Sequence, residues 1–319
     1  MSEKRRVLVI MNPVSGQQDA DKLRDKIETY LKEHDATYEV RETQGEGDAL
    51  DWARDTDADL VIAAGGDGTI METMSGLIKN SRSVPLAQLP GGTANLLARA
   101  LGIPIDPEKA LDVALNGVSV PLDVGYLPDK DRYFSLVAGA GWDAELIEDA
   151  SREIKNRLGF LAYVMTGVKN LFKLKRSIIT LEIDGEKRRY RAHTILVVNI
   201  GEILGTGFQI GKDMNPHDGK LNLAIASSSS AWGILKLMLR LATKNFENYR
   251  GLQYVSAEKI SLEATPPLKL EIDGEPIGET PFKVEVVPGG ALLIVPQEYA
   301  EAKNLSPTAT EETAASTQR

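Results

Sequence analysis

The sequence predicts two domains, an α/β domain with a parallel sheet followed by a mainly antiparallel β-sandwich. Three observations support this fold class. The chain has 319 residues, which exceeds the roughly 100 to 200 residues of a typical domain. Its first part alternates apolar runs with helix-length stretches, and its later part consists of strands joined by turn signals. We place the α/β domain at residues 1–122, the β-sandwich at 123–297 and a disordered polar tail at 298–319.

The strands of the first domain are the apolar runs VLVIM, TYEV, DLVIAAG and VPLAQLP. Between them lie amphipathic stretches, such as residues 19–32 and 70–79, with helical periodicity. Strands of a parallel sheet read as continuous apolar runs because helices cover both of its faces. This alternation therefore predicts the parallel α/β arrangement.

The second domain carries strand patterns such as YFSLVAGAG, KLNLAIA and FKVEVVPGGALLIVP, interrupted by helical patterns at 157–176 and 231–248. The word LEIDGE occurs twice in it, at Leu181–Glu186 and Leu270–Glu275. Asp-Gly between alternating apolar and polar residues is a strong hairpin signal. Both copies are therefore predicted to form β-hairpins.

Composition excludes several classes of function. A net charge of −9 disfavours binding to nucleic acid, because that affinity comes largely from Lys and Arg on phosphates. The absence of cysteine excludes disulfides and thiolate-ligated zinc. The chain begins without the pattern of a signal peptide, and no apolar run reaches the roughly 18 residues of a membrane span. We expect a cytoplasmic protein.

Glycine-rich turns follow three of the predicted strands, at residues 11–16, 65–69 and 89–99. Ligands of open α/β sheets bind beyond the carboxyl ends of the strands, where glycine lets backbone N–H groups approach phosphate oxygens. The turns predict a nucleotide phosphate site. A plain strand-to-helix turn capped by Asp67 is the alternative. The dinucleotide and P-loop glycine patterns are missing, which disfavours ordinary dehydrogenases and P-loop enzymes.

Three motifs resemble the diacylglycerol kinase catalytic family, which includes soluble bacterial lipid kinases and sphingosine kinases. They are Asn12-Pro13-Val14-Ser15-Gly16, Gly65-Gly66-Asp67-Gly68-Thr69 and Gly92-Thr93-Ala94-Asn95. The resemblance extends from about residue 6 to 296. It implies a lipid kinase that uses ATP and Mg²⁺ to phosphorylate the hydroxyl group of a lipid such as diacylglycerol.

The same resemblance implies roles for individual residues. ATP would be held by Asn12, Pro13, Val14, Ser15, Gly16, Thr43, Gly65, Gly66, Asp67, Gly68, Thr69 and Thr93. Asp273, in the second LEIDGE copy, would be the general base, and Asp67 would bind the catalytic Mg²⁺. Asp123 would belong to the network of Asp67, with a strand-end turn as its alternative role. Asp184, in the first copy, precedes a basic strand that is typical of a solvated hairpin.

A structural Mg²⁺ site is also implied by the resemblance, at Asn215, Asp218 and Lys220, and its alternative is a third Asp-Gly hairpin turn. Asp143 would contact the lipid headgroup or cap the next helix. One departure from the family pattern is Leu96, which stands where many members have an aspartate. That departure leaves the geometry of the catalytic metal and the identity of the acceptor lipid open.

A lipid substrate implies transient contact with a membrane surface, so we expect a cytoplasmic protein that is peripheral to the membrane. The segment 156–176 has apolar residues at helical spacing and a basic end, which suits such contact. A helix packed over the sandwich is the alternative. Two other functions stay open: an NAD kinase, and a catalytically inactive nucleotide-binding regulatory protein. A homodimer also stays open.

Overall fold

The described residues of the computed structural model are 4–15, 20–141, 177–192, 194–203, 208–209, 214–226 and 252–306. The chain divides into two compact units. One consists of Met1–Leu122 together with Gly289–Arg319, and the other is Asp123–Pro288. The helices expected at 157–176 and 231–248 lie outside the described residues.

The first unit is a parallel α/β sheet in the order β2-β1-β3-β4. Its elements are β1 (Arg6–Met11), α1 (Ala20–Glu33), β2 (Thr37–Glu42), α2 (Asp48–Arg54), β3 (Leu60–Gly65), α3 (Asp67–Lys79), β4 (Leu86–Pro90), α4 (Leu96–Ala100) and α5 (Pro107–Asn116). All residues of β3 and β4 are buried, which explains why these strands read as continuous apolar runs. The α/β prediction is confirmed.

The second unit contains mostly antiparallel strands. They are β5 (Val118–Leu127), β6 (Arg132–Phe134), β7 (Val137–Ala140), β8 (Ser177–Ile183), β9 (Glu186–Ala192), β10 (Thr194–Val198), β11 (Glu202–Ile203), β12 (Phe208–Gln209), β13 (Leu221–Ala226), β14 (Leu252–Ala257), β15 (Lys259–Thr265), β16 (Lys269–Ile272), β17 (Glu275–Glu279) and β18 (Phe282–Val295). The strands β5 and β18 each extend from one unit into the other.

Two layers of strands enclose the core of the second unit. One is an antiparallel sheet in the order β14-β13-β10-β7-β16-β17, and the other contains β9, β8, β15 and the start of β18. Side chains from both layers meet in one buried cluster, including Ile179 and Leu262 on one side and Ile195 and Leu270 on the other. This packing is a β-sandwich, as the sequence predicts.

Both copies of LEIDGE turn hairpins of the same geometry. Asp184 and Asp273 have φ values of 47° and 46°, and each following glycine has a φ of 88°. Two positive φ values in succession define the tight turn that Asp-Gly favours between antiparallel strands. The hairpin prediction is confirmed for both copies.

The chain after β18 begins with a helix rather than with the expected tail. Helix α6 (Gln297–Ala302) follows the last strand, and Ala300 within it is 3% exposed. The expectation of disorder from residue 298 was wrong for this turn, because burial of Ala300 anchors a segment whose composition is polar. None of the helices within the described ranges is long and apolar enough to span a membrane.

Candidate active site

Four turns of the first unit lie side by side at the carboxyl edge of its sheet. In the strand register Met11 is opposite both Glu42 and Ala64, and Gly65 is opposite Pro90. The residues that follow these ends are Asn12, Thr43 and Gly66, which the sequence singled out, and Gly91, which lies in the predicted turn at 89–99. The parallel sheet therefore brings the three motifs and Thr43 together.

Asn12 joins the first turn to helix α3. Its side-chain amide donates a hydrogen bond to Oγ1 of Thr69 at 3.2 Å, and its Oδ1 accepts one from the backbone N–H of Val14 at 3.1 Å. The Ser15 hydroxyl donates to the backbone oxygen of Asn12 at 2.8 Å. Val14 itself is 87% exposed, and Gly16 lies outside the described residues. These contacts hold the turn in one shape.

Two glycine turns approach each other too closely for side chains. A Cβ added to Gly92 would lie 2.6 Å from the Cα of Gly66, and one added to Gly65 would lie 2.7 Å from the Thr69 side chain. Helix α3 begins at this point, with Gly66 as its N-cap and no side-chain cap. Backbone N–H groups at such a helix start suit a phosphate group.

Asp67 is the first residue of α3, and its carboxylate lies at the start of α4. Its Oδ1 accepts a hydrogen bond from the backbone N–H of Leu97 at 3.4 Å. Burial raises the pKa of Asp67, although hydrogen bonds from the backbone of Leu97, Leu96 and Asn95 oppose the rise. The first turn of α4 contains no acidic residue, so Asp67 is the carboxylate that this turn offers to a cation.

The G-T-A-N turn before α4 is closed by a residue that was not among the predicted site residues. Oδ1 of Asn95 accepts from the N–H of Gly92 at 2.9 Å, and its amide donates back to the Gly92 oxygen at 2.8 Å. Asn95 also has a φ of 49°, a conformation that asparagine tolerates well. Thr93 is exposed within this closed turn.

Thr43 is held next to Asn12, since its N–H donates to the backbone oxygen of Met11 at 2.8 Å. The loop that follows is fixed by Glu72 of α3, whose carboxylate accepts a hydrogen bond from the N–H of Gly47. Burial raises the pKa of Glu72, while backbone hydrogen bonds oppose that rise. Glu72 was not among the predicted site residues. The sequence signal that could have indicated its role is a charged residue on the half-buried side of the helix α3.

Asp273 of the second unit is enclosed by the backbone at the start of β7. Its Oδ2 accepts hydrogen bonds from the N–H and the hydroxyl of Ser135 at 2.8 and 3.3 Å. Its Oδ1 accepts from the N–H groups of Leu136 and Val137 at 3.0 and 2.8 Å. Burial raises the pKa of Asp273 to about 6 against these hydrogen bonds. Its carboxylate can therefore change protonation state close to neutral pH.

Asp184 makes the corresponding contacts in the first hairpin. Its Oδ1 accepts hydrogen bonds from the N–H groups of Glu258 and Lys259 at 3.0 and 2.8 Å, at the start of β15. The residue is exposed. The two aspartates thus fix neighbouring strands in the same way, and they differ in burial and in the additional contacts of Asp273 with Ser135.

Asp123 lies beside the predicted structural metal site. Its Oδ2 accepts a hydrogen bond from the N–H of Gly219 at 2.7 Å, and its own N–H donates to the oxygen of Pro216 at 2.8 Å. The pKa of Asp218 is raised mainly by burial and also by the charge of Asp123. Sequence reasoning assigned Asp123 to the network of Asp67 and missed this proximity to Asp218.

The turn at 215–220 offers oxygen ligands only. Oδ1 of Asn215 is buried and, within the described ranges, has no hydrogen-bond partner. Two carboxylates with an amide oxygen form a set that fits Mg²⁺, a hard cation. In the described part of the chain, no group of three acidic or histidine side chains could hold a metal ion. Oδ1 of Asp218 accepts from the N–H of Lys220 at 3.0 Å, and Asp143 lies outside the described residues.

Two family models match successive parts of the chain. Residues 6–127 match the diacylglycerol kinase catalytic domain. Residues 136–295 match the YegS C-terminal NAD kinase beta sandwich-like domain. The first match covers all four turns of the first unit, and the second covers Asp273 and the 215–220 turn.

Similar proteins match over nearly the whole chain. A diacylglycerol kinase from Bacillus subtilis is 31% identical over 93% of this chain and 98% of its own length. The probable lipid kinase YegS from Salmonella arizonae is 30% identical over 91% of this chain and 96% of its own length. The crystal structure of a Bacillus anthracis diacylglycerol kinase has a TM-score of 0.78 at 25% identity, and the match covers 93% of this chain and 99% of that one.

Proposed function

Because the chain belongs to the diacylglycerol kinase catalytic family, we propose that it transfers the γ-phosphoryl group of ATP to the hydroxyl group of a lipid such as diacylglycerol. The observation that carries this proposal is the convergence of four turns at one sheet edge, where Gly66 and Gly92 meet without side chains. Exposed backbone at the start of α3 is what a polyphosphate requires.

ATP binding is assigned to the turns of the first unit. The phosphates would contact backbone N–H groups of residues 65–69 and 92–93, while residues 12–16 and Thr43 line the neighbouring strand ends. The bond between Asn12 and Thr69 supports this assignment, because it keeps two of these turns at a fixed separation.

Magnesium is expected at two places. When bound with ATP, Mg²⁺ neutralises charge on the phosphates during transfer. Asp67 is the residue that would hold it there. At the second place, Asp218, Asn215 and the backbone oxygen of Lys220 would hold a structural ion. Two observations support that site: Oδ1 of Asn215 is buried and, within the described residues, has no partner, and the pKa of Asp218 is raised. A bound cation would give the Asn215 oxygen a partner and would stabilise the charged form of Asp218.

Asp273 is proposed as the general base. The lipid hydroxyl oxygen would form a bond to the γ-phosphorus, the bond from that phosphorus to ADP would break, and the hydroxyl proton would pass to Oδ2 of Asp273. Four hydrogen bonds occupy this carboxylate, and the longest comes from the Ser135 hydroxyl at 3.3 Å. A hydroxyl can rotate away, which would free one lone pair of Oδ2 to accept the proton while the Ser135 N–H keeps its hydrogen bond to the same oxygen.

A second candidate function is phosphorylation of NAD, because the model that matches the second unit is described as NAD kinase beta sandwich-like. Both candidates use ATP, and they differ in the acceptor. The NAD acceptor is a large polar molecule in solution, whereas the lipid acceptor requires transient contact with a membrane surface. The identity of the phosphorylated acceptor therefore distinguishes the two candidate functions.

The test is transfer from labelled ATP with Mg²⁺ to diacylglycerol, phosphatidylglycerol, monoacylglycerol or sphingosine in mixed micelles, with NAD in a parallel reaction. Asp273→Asn is compared with Asp184→Asn, which changes the same residue in the same turn. We expect a labelled lipid, and loss of activity in Asp273→Asn alone. Labelled NAD would establish the second candidate. Equal loss in both variants would remove Asp273 from the role of base.

A further inference from the structure

A row of side chains crosses the antiparallel sheet of the second unit on the face that points away from the core. The register aligns Tyr254, Ala224, Leu196, Gly139 and Glu271 across β14, β13, β10, β7 and β16. In β13, β10, β7 and β16 their neighbours along the strand belong to the buried core cluster of the sandwich, and in β14 the neighbour Val255 packs against that cluster. Because side chains alternate between the faces of a strand, this row lies on the opposite face. We call it the outer row.

Glu271 ends the outer row with one carboxyl oxygen, Oε2, that is buried and, in the part of the chain that the structure describes, has no hydrogen-bond partner. A Cβ added to Gly139 would lie 3.2 Å from Oε1 of Glu271 and 3.3 Å from Cδ2 of Leu196. The carboxyl group therefore lies across β7 in the space left by a glycine, beside an apolar side chain. This burial raises its pKa to about 7.

The first LEIDGE copy shows that the hairpin does not require this burial. Glu182 has the position of Glu271 in that copy, yet its side chain is 44% exposed and its Oε2 lies 3.6 Å from Nζ of Lys187. The strands β8 and β9 pair without interruption. The pairing of β16 with β17 shifts register between Leu270 and Glu271. Such bulges re-aim side chains and occur often beside active sites.

A buried carboxyl oxygen without a partner among the described residues, such as Oε2 of Glu271, needs an explanation outside the local hairpin. Asp273, the proposed base, follows Glu271 by two residues, which is about 7 Å along a strand. The row beside Glu271 is otherwise apolar or small, and its side chains Leu196, Ala224 and Tyr254 pack in a second buried hydrophobic cluster on this face. A polar acceptor such as NAD does not match such enclosed apolar surroundings, whereas a lipid offers polar groups next to an apolar chain.

We infer that Glu271 contacts the acceptor lipid by hydrogen bonding a second polar group beside the hydroxyl that is phosphorylated. This inference rests on the proposed function, and it adds that the acceptor carries such a group. An ester oxygen, a second hydroxyl or an amine next to the acceptor hydroxyl would all provide it. A simple long-chain alcohol has the acceptor hydroxyl and the apolar chain but lacks the second group.

The test compares Glu271→Leu with the matched control Glu182→Leu on two acceptors. One is the lipid of the panel that the wild type phosphorylates best, and the other is a long-chain alcohol of equal chain length. We expect Glu271→Leu to lower kcat/KM for the lipid about tenfold or more, mainly by raising KM. For the alcohol, kcat/KM of the variant should stay within about twofold of the wild-type value. Affinity for ATP should not change. Glu182→Leu should behave as the wild type on both acceptors.

The outcomes separate this inference from the proposed function. An equal loss on both acceptors, or no loss on either, would overturn the role of Glu271 while the kinase assignment stands. If the wild type phosphorylates no lipid but still binds ATP, the proposed function fails and this inference fails with it. Thermal denaturation reports whether Glu271→Leu folds. If it does not, Glu271→Gln and Glu271→Ala give the same comparison, with selectivity for the lipid expected to remain in the former and to fall in the latter.

Discussion

The substitution Glu271→Gln should stabilise the protein above neutral pH and have less effect under acidic conditions. The pKa of Glu271 is about 7 in the folded protein against an ordinary value of 4.5. An acid whose folded pKa is raised contributes stability that is present below its unfolded pKa and lost as pH rises through the folded pKa. At about 1.4 kcal/mol per pKa unit, the loss reaches about 3 kcal/mol above pH 7.

Of that loss, about 2 kcal/mol falls between pH 5.5 and pH 8. Glutamine has nearly the same shape and does not titrate, so the free energy of unfolding of Glu271→Gln relative to wild type should rise by about that amount between the two pH values. Asp273 titrates in both proteins, and its contribution cancels in the difference. Urea unfolding of both proteins at pH 5.5 and pH 8 measures the quantity.

Glu182→Gln is the control, because Glu182 has the same neighbours in sequence but an exposed side chain. Exposed carboxylates contribute little to stability, so this variant should show no difference between the two pH values. If Glu271→Gln also shows the same stability change at pH 5.5 and pH 8, the carboxyl group titrates normally and is not buried without a partner. The explanation of its burial by a lipid contact would then lose its basis.

Three further outcomes follow from the two candidate sites. Gly92→Ala should weaken ATP binding at least about tenfold, because its Cβ would lie 2.6 Å from the Gly66 Cα, whereas Gly45→Ala, with open space around it, should bind ATP normally in a titration. The rate of transfer should fall as pH drops below about 6, where Asp273 becomes protonated; a flat profile of kcat against pH would contradict the assignment of the base. Mg²⁺ should raise the melting temperature of the wild type without ATP, and Asp218→Asn should abolish most of that increase; equal increases in both proteins would place the stabilising ion elsewhere.

Much of the fold could be predicted because local patterns determine it. The strands β1, β3 and β4 are buried on both faces and read as apolar runs. Once a parallel sheet is inferred, the turns after its strands must share one edge, and this is why residues 11–16, 65–69 and 89–99 could be grouped from the sequence. The prediction of the phosphate site depended on topology that the sequence encodes directly.

Contacts between residues far apart in sequence could not be predicted in this way. The N–H of Gly219 donates to Oδ2 of Asp123 across 96 positions, and nothing in either local sequence indicates the pairing. The helix at residues 297–302 also escaped prediction, because its composition resembles a disordered tail and only the burial of Ala300 distinguishes it. In both cases tertiary packing supplied the information.

The two LEIDGE hairpins show most clearly what local sequence cannot predict. Six identical residues form two turns with the same dihedral angles, so intrinsic preference cannot explain why Oε2 of Glu271 is buried while the side chain of Glu182 is 44% exposed. The difference comes from the neighbouring strand, since Gly139 of β7 leaves room for the Glu271 carboxyl group and the Ser135 hydroxyl adds to the contacts of Asp273. When the same substitution is made in both copies, the effect of the hairpin sequence is common to the two variants and cancels in the comparison. What remains is the effect of the surroundings in which we propose that the lipid binds.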